Sequence, residues 1–198
     1  MLLGLDFDNT LICYDRLFHQ VALEKKLIPA LLPAKKQEVC NYLRCQDMED
    51  EWTCMQGEVY GNRIMEAIPF EGMFETLLSL KNIGLEMCLV SHKTRTPYIG
   101  KSYDLHQAAR DWLTANCFYD EGGLNWDKDQ TFFELTKKDK VNRIISLGCS
   151  HYIDDLPEIL EMIPDNITRI LFAPDKCSEI KSEWLILESW SDLPYLLK

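Results

Sequence analysis

MLLGLDFDNTLI, residues 1–12 of a 198-residue chain, runs from an apolar segment straight into two acids and a hydroxyl. The apolar run before Asp6 reads as a buried central strand. Side chains alternate along an extended chain, so Asp6, Asp8 and Thr10 point the same way at the strand's carboxyl end. That is where open α/β sheets bind ligands. Two carboxylates at this spacing let one attack while the other handles a proton, and Thr10 is placed to hold Asp8 by a hydrogen bond. The alternative is a strand that ends in an acidic turn, Asp-Asn being a common turn dipeptide.

Beyond this segment the pattern alternates between helical and extended periods. From Cys13 to about Ile68 it is helical (Leu17, Phe18, Val21, then Val39, Tyr42, Leu43), punctuated by Pro29, Pro33 and Gly57. Gly72 to Leu80 is an amphipathic helix stopped near Gly84, and LEMCLVS (85–91) follows as a second strand. Tyr103 to Ala115 is helical again and Thr131 to Leu135 is a third strand. A helix from Thr136 to Leu147 opens on a capping box formed by Thr136 and Asp139. HYIDD (151–155), TRILFAP (168–174) and Trp184 to Leu187 supply three more strands, with a short helix over Pro157 to Met162 and a terminal helix. Strands alternating with helices predict an α/β protein with a Rossmann-like, three-layer core around a parallel sheet. The expected division is a core of residues 1–13 and 69–198 and a small helical insertion of residues 14–68.

Composition narrows the function. With 46% hydrophobic and 27% charged residues, the chain falls among ordinary soluble globular proteins. Its 21 Lys and Arg against 32 Asp and Glu give a formal net charge of −11, which repels a polyanionic backbone. Nucleic acid is therefore an unfavourable partner, whereas a small phosphorylated substrate is admissible where a metal and local cations reverse the field in one cleft. None of the eight cysteines (Cys13, Cys40, Cys45, Cys54, Cys88, Cys117, Cys149, Cys177) makes a CxxC pair. There is no apolar run near the length of a membrane span, and a strand so close to Met1 leaves no room for a leader. The expectation is a reducing cytoplasm, with no membrane and every cysteine a small buried hydrophobe. Asn166-Ile-Thr168 matches a glycosylation sequon by chance on that reading.

Other strand ends add to Asp6 and Asp8. Ser91 ends LVS, where its hydroxyl and nearby backbone N–H groups can grip a phosphoryl oxygen. Asp154 and Asp155 end HYIDD, and acids crowded at one sheet edge call for a hard cation such as Mg²⁺. Lys140, near the start of the preceding helix, can offset their charge. Each has a plainer reading: Ser91 as a helix N-cap, the two acids as a turn with Pro157, Lys140 as a solvated helix charge.

In this order the motifs resemble the haloacid dehalogenase superfamily. LLGLDFDNTL is similar to its DxDx(T/V) motif, MCLVS to its strand ending in Ser or Thr, and HYIDD to its strand ending in two acids. The resemblance implies that Asp6 is a nucleophile forming an aspartyl phosphate and that Asp8 is the general acid and then the base. It implies that Ser91 and Lys140 hold the phosphoryl group, with Thr10 beside them, and that Lys137 and Lys138 are rivals of Lys140. Magnesium would take the Asp6 carboxylate, the Asp8 backbone carbonyl and Asp155, with Asp154 direct or through water. Residues 14–68 would form a helical cap suited to a small phosphorylated metabolite. The implied activity is that of a magnesium-dependent phosphatase. The alternatives are a phosphomutase or phosphotransferase on the same fold, or a non-catalytic regulatory module that binds a phosphorylated ligand.

Within the insertion, Trp52, Gln56, Tyr60 and Arg63 mix aromatic and polar groups as a sugar or nucleotide pocket would, although aromatics at near-helical spacing are more often core. His92 and Lys93 either face a leaving group or are exposed loop charge. His19, His106 and His151 read as structural or surface residues, and Trp184 and Trp190 as packing for the terminal helix.

Overall fold

The computed structural model describes residues 1–175 and 183–197. In chain order the strands and α-helices are β1 (Leu2–Leu5), β2 (Ile12–Cys13), α1 (Asp15–Glu24), α2 (Lys36–Cys45), α3 (Glu49–Tyr60), β3 (Ile68–Pro69), α4 (Met73–Asn82) and β4 (Glu86–His92). They continue as α5 (Leu105–Ala115), β5 (Thr131–Glu134), α6 (Lys137–Ser146), β6 (His151–Asp154), α7 (Pro157–Met162), β7 (Thr168–Phe172), β8 (Leu185–Leu187) and α8 (Leu193–Leu196). The chain divides into two compact units, one of Met1–Ile12, Pro69–Lys93 and Cys117–Lys198, the other of Cys13–Ile68 and Thr94–Asn116.

The first unit is built on a parallel sheet in the order β5-β4-β1-β6-β7-β8. The apolar strand β1 lies inside the sheet between β4 and β6, where Leu3 and Leu5 are fully buried. The winding reverses between β1 and β6, and in doubly wound sheets the crevice beyond the carboxyl ends of the strands at such a reversal is the ligand site. Gly4 is required by packing, since a Cβ there would lie 2.7 Å from the Tyr152 ring and 3.0 Å from the Cys149 sulfur. Tyr152, fully buried against this gap, donates its hydroxyl to the Val90 carbonyl at 2.6 Å and so ties β6 to β4 across β1.

In the second unit, α1, α2 and α3 pack on one another. α1 buries Leu17, Phe18, Val21 and Ala22, its apolar face at helical spacing. The Phe18 ring lies 4.9 Å from Trp52 and 5.5 Å from Tyr60, centroid to centroid. Trp52 is therefore core, in keeping with its plainer reading. Arg63 is engaged by Glu24 and Glu66. Gln56 and Tyr60, with Thr53, Thr94, Pro97 and Tyr98, line a cavity of about 90 Å³.

This unit takes in more than residues 14–68. Thr94–Asn116, expected in the core, belongs to it. The reason is close packing against α3: Gly57 and Gly61 lack the side chains that would strike Pro97 and Tyr103, at 2.7 and 2.6 Å from an added Cβ. The Trp112 indole also donates to the Ala67 carbonyl at 2.8 Å. A second correction concerns the cysteines. Cys40, Cys88 and Cys149 are buried, but Cys45 and Cys117 are exposed, at the end of α2 and in the turn after α5, and Cys177 lies outside the described residues. Among the described residues no helix is long and apolar enough to cross a membrane.

Candidate active site

Asp6 follows β1 directly and its backbone N–H donates to the Ile153 carbonyl at 3.0 Å, so its position is set by the β1–β6 ladder. The chain then turns within three residues. The Phe7 carbonyl accepts from the N–H groups of Thr10, Leu11 and Ile12, and Asn9 sits at φ 57°. Asparagine tolerates that left-handed conformation better than other side chains bearing a Cβ. The turn reading of Asp-Asn is met, and Asp6 and Asp8 both stand beyond the carboxyl end of β1.

Ser91 in β4 donates its hydroxyl to Asp6 Oδ1 at 2.8 Å. Lys140 reaches the same oxygen at 2.5 Å and Asp154 Oδ2 at 2.6 Å. The solvated alternative for Lys140 does not hold, for only 2% of its surface is exposed. Its rival Lys137 pairs with Glu158 at 2.6 Å and is partly solvated; Lys140 alone of these two is shown reaching Asp6. Thr136 caps α6 by accepting from the Asp139 N–H at 3.0 Å, the first half of the expected box; the Asp139 carboxylate accepts at 2.7 Å from the Thr136 hydroxyl, where a full box would use the Thr136 backbone N–H. Thr10 departs from expectation: its buried hydroxyl donates to Asp6 Oδ2 at 3.4 Å, not to Asp8. The Trp190 indole donates to the Thr10 carbonyl at 3.3 Å, so Trp190 packs behind the site.

Asp6, Asp154 and Asp155 each offer a carboxylate oxygen, and the three oxygens lie within 4.8 Å of one another. Asp154 is fully buried, and its Oδ1 accepts from the Leu156 N–H at 2.9 Å. Burial pushes its carboxyl up to about 7; Lys140 pulls the other way and the negative charge of Asp6 adds to the rise. For Lys140, burial favours the neutral amine, but Asp154 and Asp6 together outweigh it and hold the ammonium well above its ordinary range. With Lys93 and Lys140 counted, Asp6, Asp8, Asp154 and Asp155 leave a formal excess of two negative charges. Hard carboxylate oxygens that close together fit a divalent cation such as Mg²⁺.

Asp8 is held by a residue that the sequence reading left between two roles. The Lys93 ammonium donates to both Asp8 oxygens, at 2.9 and 2.6 Å, and only 3% of its side chain is exposed. The exposed-loop reading of Lys93 therefore fails. The signal was available in the alternation: Lys93 stands two residues beyond Ser91, as Asp8 stands two beyond Asp6, so both pairs share a side of the sheet. His92, on the opposite parity, contacts the Leu135 carbonyl at 3.2 Å, and burial lowers its pKa.

No protein-family model matches the chain, and no curated protein matches it significantly. Solved structures do. A HAD family hydrolase from Deinococcus radiodurans R1, with bound phosphate and sodium, is 14% identical; the match covers 99% of this chain and 94% of that one with a TM-score of 0.59. A phosphoserine phosphohydrolase-like protein from Francisella tularensis is 16% identical, with 99% of each chain covered and a TM-score of 0.53. A Bacillus subtilis protein described as a HAD-hydrolase, bound to magnesium, is 12% identical, with 100% and 98% covered and a TM-score of 0.53. From end to end, then, this chain has the fold of the haloacid dehalogenase superfamily hydrolases.

Proposed function

We propose that the protein is a phosphatase that hydrolyses a small phosphorylated metabolite through an aspartyl phosphate on Asp6, with magnesium as cofactor. The observation that carries this is the Asp6 carboxylate, oriented at once by Ser91, Lys140 and Thr10 and set beside Asp154 and Asp155. In the first step the free lone pair of an Asp6 oxygen attacks phosphorus, the bond to the substrate oxygen breaks, and Asp8 gives that oxygen a proton. In the second, water attacks phosphorus, its proton goes to Asp8, and the bond to Asp6 breaks. Ser91 and Lys140 supply the hydrogen bonds and positive charge that hold the transferred group.

Asp6, Asp155 and the Asp8 carbonyl would hold the metal. Asp154, with both oxygens already accepting hydrogen bonds, would support it from behind. A bound divalent cation supplies charge neutralisation for the phosphoryl oxygens. The Bacillus subtilis protein of this fold binds magnesium and the Deinococcus radiodurans protein binds phosphate, which supports the assignment. The helical unit is read as the part that selects the substrate.

The test is release of inorganic phosphate from p-nitrophenyl phosphate with Mg²⁺. Wild type is expected to turn over, to stop with EDTA, and to lose activity in Asp6→Asn with its circular dichroism and melting temperature retained. Full activity in folded Asp6→Asn would remove the nucleophile.

A further inference from the structure

We propose that Lys93 is a positioning residue for the acid and base Asp8, and that the two work as one unit. This rests on the phosphatase reading of the site. The Lys93 backbone N–H donates to the Glu134 carbonyl at 2.9 Å, extending the β4–β5 ladder by one residue, and its ammonium lies 5.5 Å from the centre of the Phe7 ring. The base of the side chain is thus fixed by the sheet and its length by an aromatic face. Asp8 stands in a tight turn, where its backbone bridges to Ile12, and 21% of its side chain is exposed. An aspartate there would sample several rotamers.

The two N–H···O bonds choose one of them. Because they go to different oxygens, one bond can persist while the other oxygen turns to give or take a proton. Burying an ammonium this deeply carries a large desolvation cost. A salt bridge serving stability alone gains nothing from having the acid and base of the site as its partner. Displacing a catalytic group by about 1 Å costs on the order of 100-fold in rate. Loss of Lys93 should therefore lower kcat and leave KM nearly unchanged.

The experiment is a double-mutant cycle on the full chain with Mg²⁺ and p-nitrophenyl phosphate, comparing wild type, Lys93→Met, Asp8→Asn and the double variant, each checked by thermal melting. If Lys93 acts through Asp8, Lys93→Met lowers kcat about 10- to 100-fold in wild type and less than about 3-fold in Asp8→Asn. Lys93→Arg, whose guanidinium can restore two bonds to the carboxylate, recovers part of the loss. If Lys93→Met does not fold, the cycle is run with Lys93→Arg and Lys93→Gln, read in the same way. Multiplying losses, an unchanged kcat, or a change confined to KM would overturn the proposal even if the melting temperatures show the two residues to be coupled. Turnover in wild type that vanishes in Asp6→Asn, with Lys93 and Asp8 effects that multiply, removes the inference alone. No turnover in wild type removes the phosphatase reading and the inference with it.

Discussion

At Asp6 the carboxylate accepts from Ser91, Thr10 and Lys140, which come from three different segments, so its orientation is imposed from outside its own strand. Lys140 is the costliest of these to remove. Lys140→Met would leave the buried Asp154 facing Asp6 without its cation, and is expected to destabilise the fold by about 3–5 kcal/mol in urea titrations. Turnover should fall by about 100- to 1000-fold, as for loss of one donor to a developing charge; an unaltered rate would place Lys140 outside the chemistry. Asp6, Asp8, Ser91, Asp154 and Asp155 were legible in the sequence because each ends an apolar run, and a run's end is a position in space once the sheet is assumed. Lys140 was legible only as one of three lysines on a helix. Lys93 stays between a site role and solvated loop charge in the sequence, because a lysine beyond a strand reads as either until its parity with Ser91 is noticed.

The elements carry these residues with differing security. α6 presents Lys140 one turn from its start, and the Thr136 N-cap, accepting from the Asp139 N–H, holds that start. Thr136→Ala is expected to cost about 0.5–2 kcal/mol, seen as a lower melting temperature, with a much smaller loss of turnover than Lys140→Met. In the helical unit, α3 depends on having no side chain at Gly61. Gly61→Val would drive a Cβ into the Tyr103 ring and the Gly57 carbonyl, costing about 1–3 kcal/mol. Hydrogen exchange should quicken first in Thr94–Asn116, and a variant as stable as wild type would show that the contact yields easily. The helical period of α5 could be read directly, but its allegiance to α3 could not, because glycine contacts leave no apolar signature in sequence.

For the whole molecule, the sheet order places the ends of β4, β1 and β6 side by side and so gathers charges, such as Asp6 and Asp155, from distant parts of the chain. Asp154 keeps its proton to about pH 7 in the folded chain, against a usual carboxyl value of 3.8. In the metal-free protein its contribution to stability is therefore complete below pH 3.8 and is lost as pH rises through about 7. A divalent cation reverses the balance, since it favours the ionised carboxylates and at low pH must first displace a proton. Magnesium is expected to raise the melting temperature more at pH 8 than at pH 5. An equal rise at both would mean that the ion does not sense Asp154.

Sequence alone was enough for the α/β class, the strand that lies at the centre and the acids at the strand ends, since apolar periodicity and strand alternation are local properties of the chain. Tertiary structure decided which lysine meets Asp6, that Thr10 serves Asp6 while Lys93 holds Asp8, and which unit claims α5. Those outcomes depend on which segments the sheet order and close packing bring within a few ångströms, and distance through space is not written in spacing along the chain.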